Sequence, residues 1–174
     1  IDPRAVVCLL LLCLAGAALA AGPVRDHEIQ AEDYFDLTVL GNLAVSPDGE
    51  WAAYSESRWG RGKEGRSTDL WAVGTKGGAP WRLTFDGFGA GSPQWSPDGD
   101  QIYFIGHADR GQDKPPYDGS RQVWRIDPTG GEPQAVTRAA KGVLSFQLAP
   151  DGSSVLYRTG TEETDGDWAD LKKE

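Results

Sequence analysis

The sequence predicts an all-β chain, a partial β-propeller of four-stranded antiparallel blades, and three observations carry that expectation. A turn sequence recurs as Ser46-Pro47-Asp48-Gly49, as Ser96-Pro97-Asp98-Gly99, and again as Pro150-Asp151-Gly152. Its prolines lie 50 and then 53 residues apart, the period of a propeller blade. A second signature, Asp69-Leu70-Trp71-Ala72-Val73 with Gly77-Gly78 and Arg82-Leu83-Thr84, returns as Gln122-Val123-Trp124-Arg125-Ile126 with Gly130-Gly131 and Ala135-Val136-Thr137. Trp71 to Trp124 and Thr84 to Thr137 are both 53 residues apart, so two independent landmarks share one spacing.

In chain order, the first element is a signal peptide over 1–20. Arg4 precedes the apolar run Ala5 to Leu14, and Ala18-Leu19-Ala20 offers a small-residue cleavage site, so the mature chain begins near Ala21. A retained anchor is the competing reading; it needs about 20 apolar residues, and here Ala and Gly dilute the run. Lipidation is disfavoured because no small residue of the required kind precedes Cys8 or Cys13. Both cysteines fall inside this segment, so the mature chain has no disulfide scaffold and no cysteine-ligated metal. The start at Ile1 without Met suggests an incomplete or processed chain.

A lead-in over 21–42 contains a short helical segment and precedes blade 1 over 43–85, blade 2 over 92–137 and an incomplete blade 3 over 144–174. Blade 2 reads as four strands: Pro93 to Ser96, Gln101 to Gly106, Gln122 to Asp127 and Gln134 to Thr137. Its strands carry apolar residues on both faces, as stacked blades require. Arg58 to Ser67 and His107 to Ser120 read as polar, Gly-rich insertions between second and third strands. The tail from Thr161 to Glu174 reads either as a short helix capped by Asp167, with Trp168 and Leu171 on one face, or as an acidic loop.

The repeated aspartates are expected to be turn residues. Ser at the first position accepts local hydrogen bonds, Pro presets the second, Asp suits the third and Gly relieves the fourth, so Pro47, Asp48, Gly49, Pro97, Asp98, Gly99, Pro150, Asp151 and Gly152 are structural positions. Calcium is the rival reading for Asp48, Asp98 and Asp151, and it needs converging oxygen ligands that the turn alone lacks. A net charge of −9 and a pI near 4.7 weigh against binding nucleic acid through its phosphates. With 39% hydrophobic and 25% charged residues the composition is that of a foldable globular chain and not of a disordered tail.

The runs AVSPDGEWAAYS, STDLWAVGTKGGAPWRLT and SPQWSPDGDQIYFIG, with Ala31-Glu32-Asp33-Tyr34-Phe35 ahead of them, resemble the TolB-like, PD40-type blades of prolyl oligopeptidase family serine peptidases. The dipeptidyl-peptidase and acylaminoacyl-peptidase branches are the nearest in pattern. The resemblance covers the chain from about His27 onward, and it is specific for the propeller type, which TolB and other secreted proteins share. It implies an amino-terminal propeller that gates peptide access to a C-terminal α/β-hydrolase domain of the same full-length chain, in a secreted or periplasmic enzyme. The partners implied are that domain and peptide substrates, without nucleic acid and without a stable membrane span after signal cleavage.

No catalytic, cofactor-binding or metal-binding residue is assigned, and no cofactor is expected. A nucleophile elbow of the G-x-S-x-G type is not found; Gly65-Arg66-Ser67-Thr68-Asp69 lacks the second glycine and opens a strand. His27 and His107 read as surface or loop residues, since a base needs a positioned nucleophile. Glu162-Glu163 reads as a solvated charge pair, and the recurrent tryptophans as packing residues rather than a sugar-stacking surface. A non-enzymatic TolB-like propeller serving protein interaction in the cell envelope is the alternative function; a self-standing sugar-binding propeller is a weaker one.

Overall fold

The computed structural model describes residues 28–60, 65–85 and 87–160. The expected signal peptide over 1–20 with Cys8 and Cys13, His27, Glu162-Glu163 and the tail read as a helix or an acidic loop all lie outside the described residues. Two compact units are delimited, up to Asp33 and from Tyr34 onward. The described part of the first is a turn in which the Gln30 N–H donates to the Asp33 carboxylate at 2.9 Å.

The second unit is all-β. After the short helix α1 (Asp33–Asp36), β1 (Val39–Val45), β2 (Trp51–Trp59), β3 (Arg66–Gly74) and β4 (Trp81–Arg82) form one antiparallel sheet in sequence order. A second sheet repeats the order with β5 (Gly91–Trp95), β6 (Ile102–Asp109), β7 (Asp118–Ile126) and β8 (Gln134–Ala135). β9 (Ser145–Leu148) and β10 (Val155–Arg158) pair as the start of a third. These are two blades and the opening hairpin of another.

The stretches between second and third strands are not loops throughout. β2 and β3 stay paired out to Trp59 opposite Arg66, and β6 and β7 out to Asp109 opposite Asp118. Polar sequence misled here because only isolated residues of these extensions, Trp59 and Tyr117 among them, find apolar contacts, so no apolar run marks a strand, while a backbone ladder needs none.

Alternation sorts each blade into two faces. From blade 1, Ala53, Leu70, Ala72 and Leu83 meet Ile102, Phe104, Trp124 and Ile126 of blade 2 in one core. From the opposite face of blade 2, Ile105 and Val123 meet Phe146 and Leu148 of the third sheet in a second core. Burying such side chains contributes about 1.5–3 kcal/mol each, so the seams between blades hold most of the apolar stabilisation.

Polar contacts index the seams. Trp95 Nε1 donates to the Ala44 carbonyl at 3.1 Å, and Trp81 Nε1 to the Pro128 carbonyl at 3.0 Å, both from one blade to the other. Across the second seam Gln94 Nε2 donates to the Phe146 carbonyl, and its Oε1 accepts the Leu148 N–H. The first strands of the two blades, β1 and β5, each carry a bulge, with Asn42 at φ 50° and Ser92 at φ 54°, fifty positions apart in the repeat.

Candidate functional site

The turns that the repeat singles out are built alike. In the first, the Gly49 N–H donates to the Ser46 carbonyl at 2.9 Å, and the Asp48 carboxylate accepts the Ser46 hydroxyl at 2.5 Å and the Glu50 N–H at 3.0 Å. Ser96, Asp98 and Asp100 repeat that pattern at 2.5 and 3.1 Å. In the third turn Ala149 replaces the serine, and Ser153 supplies both hydroxyl and N–H to Asp151 instead. Donation from Ser46 and then the Glu50 N–H holds the Asp48 carboxyl below its ordinary pKa, and the same two kinds of donor act on Asp98 and Asp151. Gly49, Gly99 and Gly152 have φ of 74°, 80° and 71°, a conformation that a side chain strains.

The turns also touch one another. A Cβ on Gly99 would lie 3.7 Å from the Pro47 ring, and one on Gly152 3.0 Å from the Pro97 ring. Each glycine therefore rests on the proline of the preceding turn. Among the described residues no group of three or more His, Cys, Asp or Glu side chains gathers as a metal site.

His107 is on β6 opposite Arg121, with its N–H donating to the Phe88 carbonyl at 2.8 Å. Its ring packs on Gly89, where a Cβ would come within 2.4 Å of Cε1. Among the described residues no hydroxyl hydrogen-bonds to that ring, so no nucleophile–base pair forms around it. Ser67, in the string closest to an elbow, lies on β3 and donates to Asp69 at 3.3 Å. A cavity of about 420 Å³ opens beside His107 between the blades, walled by Leu83, Phe85, Phe88, Arg110 and Glu132, with the last two ion-paired at 2.8 Å. No pattern in the sequence marked this cavity, because its walls come from a blade connection, a hairpin end and a turn far apart in the chain.

Gln122 is a functional position of the fold that sequence reasoning passed over. Fully buried, it accepts from the Thr137 hydroxyl and the Ala139 N–H through Oε1 and donates to the Ser120 hydroxyl and the Ala139 carbonyl through Nε2, all at 2.9 Å. The available signal was its alignment with Asp69, 53 residues earlier. Asp69 is buried too, and bonds Arg82 at 2.7 Å.

No protein-family model matches the chain. Over 137 residues, 78% of its length, it is 32% identical to the uncharacterized peptidase YuxL of Bacillus subtilis, of which it spans 19%. Dipeptidyl-peptidase 5 of Porphyromonas endodontalis is 27% identical over 118 residues, 68% of this chain and 16% of that protein. Among solved structures, the Pyrococcus horikoshii acylaminoacyl peptidase superposes with a TM-score of 0.61 at 16% identity, covering 81% of this chain and 20% of the enzyme. An Agrobacterium tumefaciens protein assigned as TolB does so at 0.53 and 22%, covering 74% of this chain and 40% of that one. The blades and these likenesses define the class: this is a TolB-like β-propeller region, of the kind found in acylaminoacyl peptidases. More particularly, it is related to peptidase propeller regions, and it spans about a fifth or less of the length of these two curated peptidases.

Proposed function

We propose that this chain is the amino-terminal propeller portion of a secreted or periplasmic serine peptidase of aminoacyl- or dipeptidyl-peptidase type. In this reading the propeller gates the entry of peptides to a C-terminal α/β-hydrolase domain, which would carry the Ser, Asp and His in that order. The observation that supports it is the sequence relation to two peptidases across both blades. The chemistry is assigned to the other domain, because no residue pair described above activates a nucleophile. The test is to extend the reading frame downstream, express the product, and assay chromogenic aminoacyl and dipeptidyl substrates with and without a serine-directed phosphonate. Phosphonate-sensitive cleavage is expected; a frame that ends without a nucleophile elbow refutes the reading.

Export is part of the proposal, on the apolar run before Ala18-Leu19-Ala20. Secreted material should begin near Ala21 on amino-terminal sequencing, and material beginning at Ile1 would remove this part. A second reading, a non-enzymatic propeller that binds other envelope proteins, is favoured by the likeness to the TolB structure. The same downstream extension separates the two.

A further inference from the structure

Three strands open the repeats with matched positions: β1 carries Ala44, β5 carries Gln94 and β9 carries Gln147, each three residues before its turn proline. The second seam shows what a glutamine does there. Gln94 Nε2 donates to the Phe146 carbonyl at 3.0 Å while its Oε1 accepts the Leu148 N–H at 3.1 Å, so one side-chain amide holds the two backbone groups that flank Gln147. An amide donates and accepts at once, which suits it to the backbone of a strand. Ala44 has no such group, and in the first seam the bond runs the other way, from Trp95 Nε1 to the Ala44 carbonyl.

Among the described residues Gln147 meets no following strand. It is exposed, and its Nε2 reaches back to Gln94 Oε1 at a long 3.3 Å. Its surroundings repeat as well. Gln147 pairs with Leu156 as Gln94 pairs with Tyr103, and Tyr103 packs against the second core whereas Leu156 is 77% exposed. On the same strand Arg158 takes the place, 53 residues on, of the buried Ile105. A guanidinium does not supply the apolar burial that Ile105 does, so a joint on this face leans more on hydrogen bonds than the second seam does.

We propose that Gln147 is an amide latch for the strand that opens a following repeat: Nε2 donates to a carbonyl and Oε1 accepts the N–H two residues later, the pair of bonds that Gln94 makes to Phe146 and Leu148. The occupant is a further segment of the same longer chain. Continuity with the second seam carries the assignment, because the glutamine, the position opposite it and the turn proline behind it all recur after 53 residues. In making the latch Gln147 gives up its 3.3 Å bond to Gln94, whose Oε1 keeps the Leu148 N–H. The inference rests on the reading of the chain as part of a longer propeller protein, which the two curated peptidases support, since the chain spans a fifth or less of each.

Backbone hydrogen exchange in the extended protein, read as protection at single amides, tests it. Gln94→Ala is the calibration: the Leu148 N–H should lose about tenfold in protection, the worth of one ordinary hydrogen bond. Gln147→Ala should cost a similar factor at one N–H in the strand that opens the next repeat, and leave Leu148 and the rest of that strand within about twofold of the parent. Unchanged protection in that strand, beside a Leu148 N–H that does respond to Gln94→Ala, would overturn the latch alone. A loss spread evenly along the strand would overturn it too, as general loosening. No response at Leu148 to Gln94→Ala would remove the template on which the latch is drawn. A reading frame that continues without a further repeat would overturn the longer-propeller reading, and the latch with it.

Discussion

Asp98 and Gly99 stand side by side in one turn and answer to different physics. The Asp98 carboxylate accepts a hydroxyl and an N–H, and an Asn side-chain oxygen accepts both as well. Asp98→Asn should therefore leave the urea midpoint at pH 7 nearly unchanged. Gly99 has φ 80°, so Gly99→Val should lose about 1–3 kcal/mol by the same measurement. Equal, large losses from the two would show that the carboxylate does more than close the turn. Acid separates them further. Asp48, Asp98, Asp118, Asp127 and Asp151 are all held below their ordinary pKa, chiefly by hydroxyl and N–H donors. A group whose folded pKa is depressed stabilises above its unfolded value and loses that contribution as pH falls through the folded one. Stability should hold from neutral pH down to about 5 and decline below about 4. Urea midpoints taken at pH 7 and pH 3 should show a smaller decline for Asp98→Asn than for the parent.

At the scale of elements, the turns and the four-strand order of each blade were legible because Pro, Gly and Asp at fixed offsets constrain the backbone directly. Paired tryptophans marked the third strands for the same reason of repetition. What stayed hidden needed a neighbour to reveal it. Gln122 looks like a polar strand residue until Thr137 and Ala139 close around it. The hairpin ends Trp59–Arg66 and Asp109–Asp118 look like loops because their apolar contacts are made by single aromatics, Trp59 against Phe35 and Tyr117 against Trp124, with no apolar run to mark a strand. Gly106 is another such case: its lack of a side chain reads as flexibility, yet it admits the Phe88 ring, which meets Trp124 edge-on at 4.8 Å. Gly106→Ala should displace that ring and lose about 1–3 kcal/mol in denaturant unfolding. Gly65→Ala is the control, since a Cβ there meets nothing within 4 Å, and it should stay within about 0.5 kcal/mol of the parent. Equal effects from the two would show that Phe88 does not depend on the space.

For the whole molecule, the described blades have two covered seams and two outer faces. Leu40, Leu43 and Val45 on β1, and Leu156 and Tyr157 on β10, are exposed. Apolar surface of this kind promotes association. Expressed alone, the 174-residue chain should broaden or elute early in size-exclusion chromatography and cleave neither aminoacyl nor dipeptidyl chromogenic substrates. A sharp monomer with phosphonate-sensitive activity would contradict both expectations. The repeat could forecast the class of fold but not this asymmetry of faces, because the pairing of Glu56 with Asp69 on blade 1 is visible only once the register is known.

The stacked turns carry a consequence for where the chain tolerates growth. Trp71 lies 24 residues after Pro47, and Trp124 lies 27 after Pro97, whereas each of these tryptophans is followed by the next turn proline after the same 26 residues. The whole difference in repeat length therefore sits in the hairpin between second and third strands, at the rim away from the Pro–Gly contacts. One rim behaves as a fixed hub and the other as open ground for insertion. A tag or a small guest domain spliced between Gln112 and Asp113 adds to a hairpin that already varies, whereas the same cargo between Asp48 and Gly49 would split the turn whose proline supports the next blade.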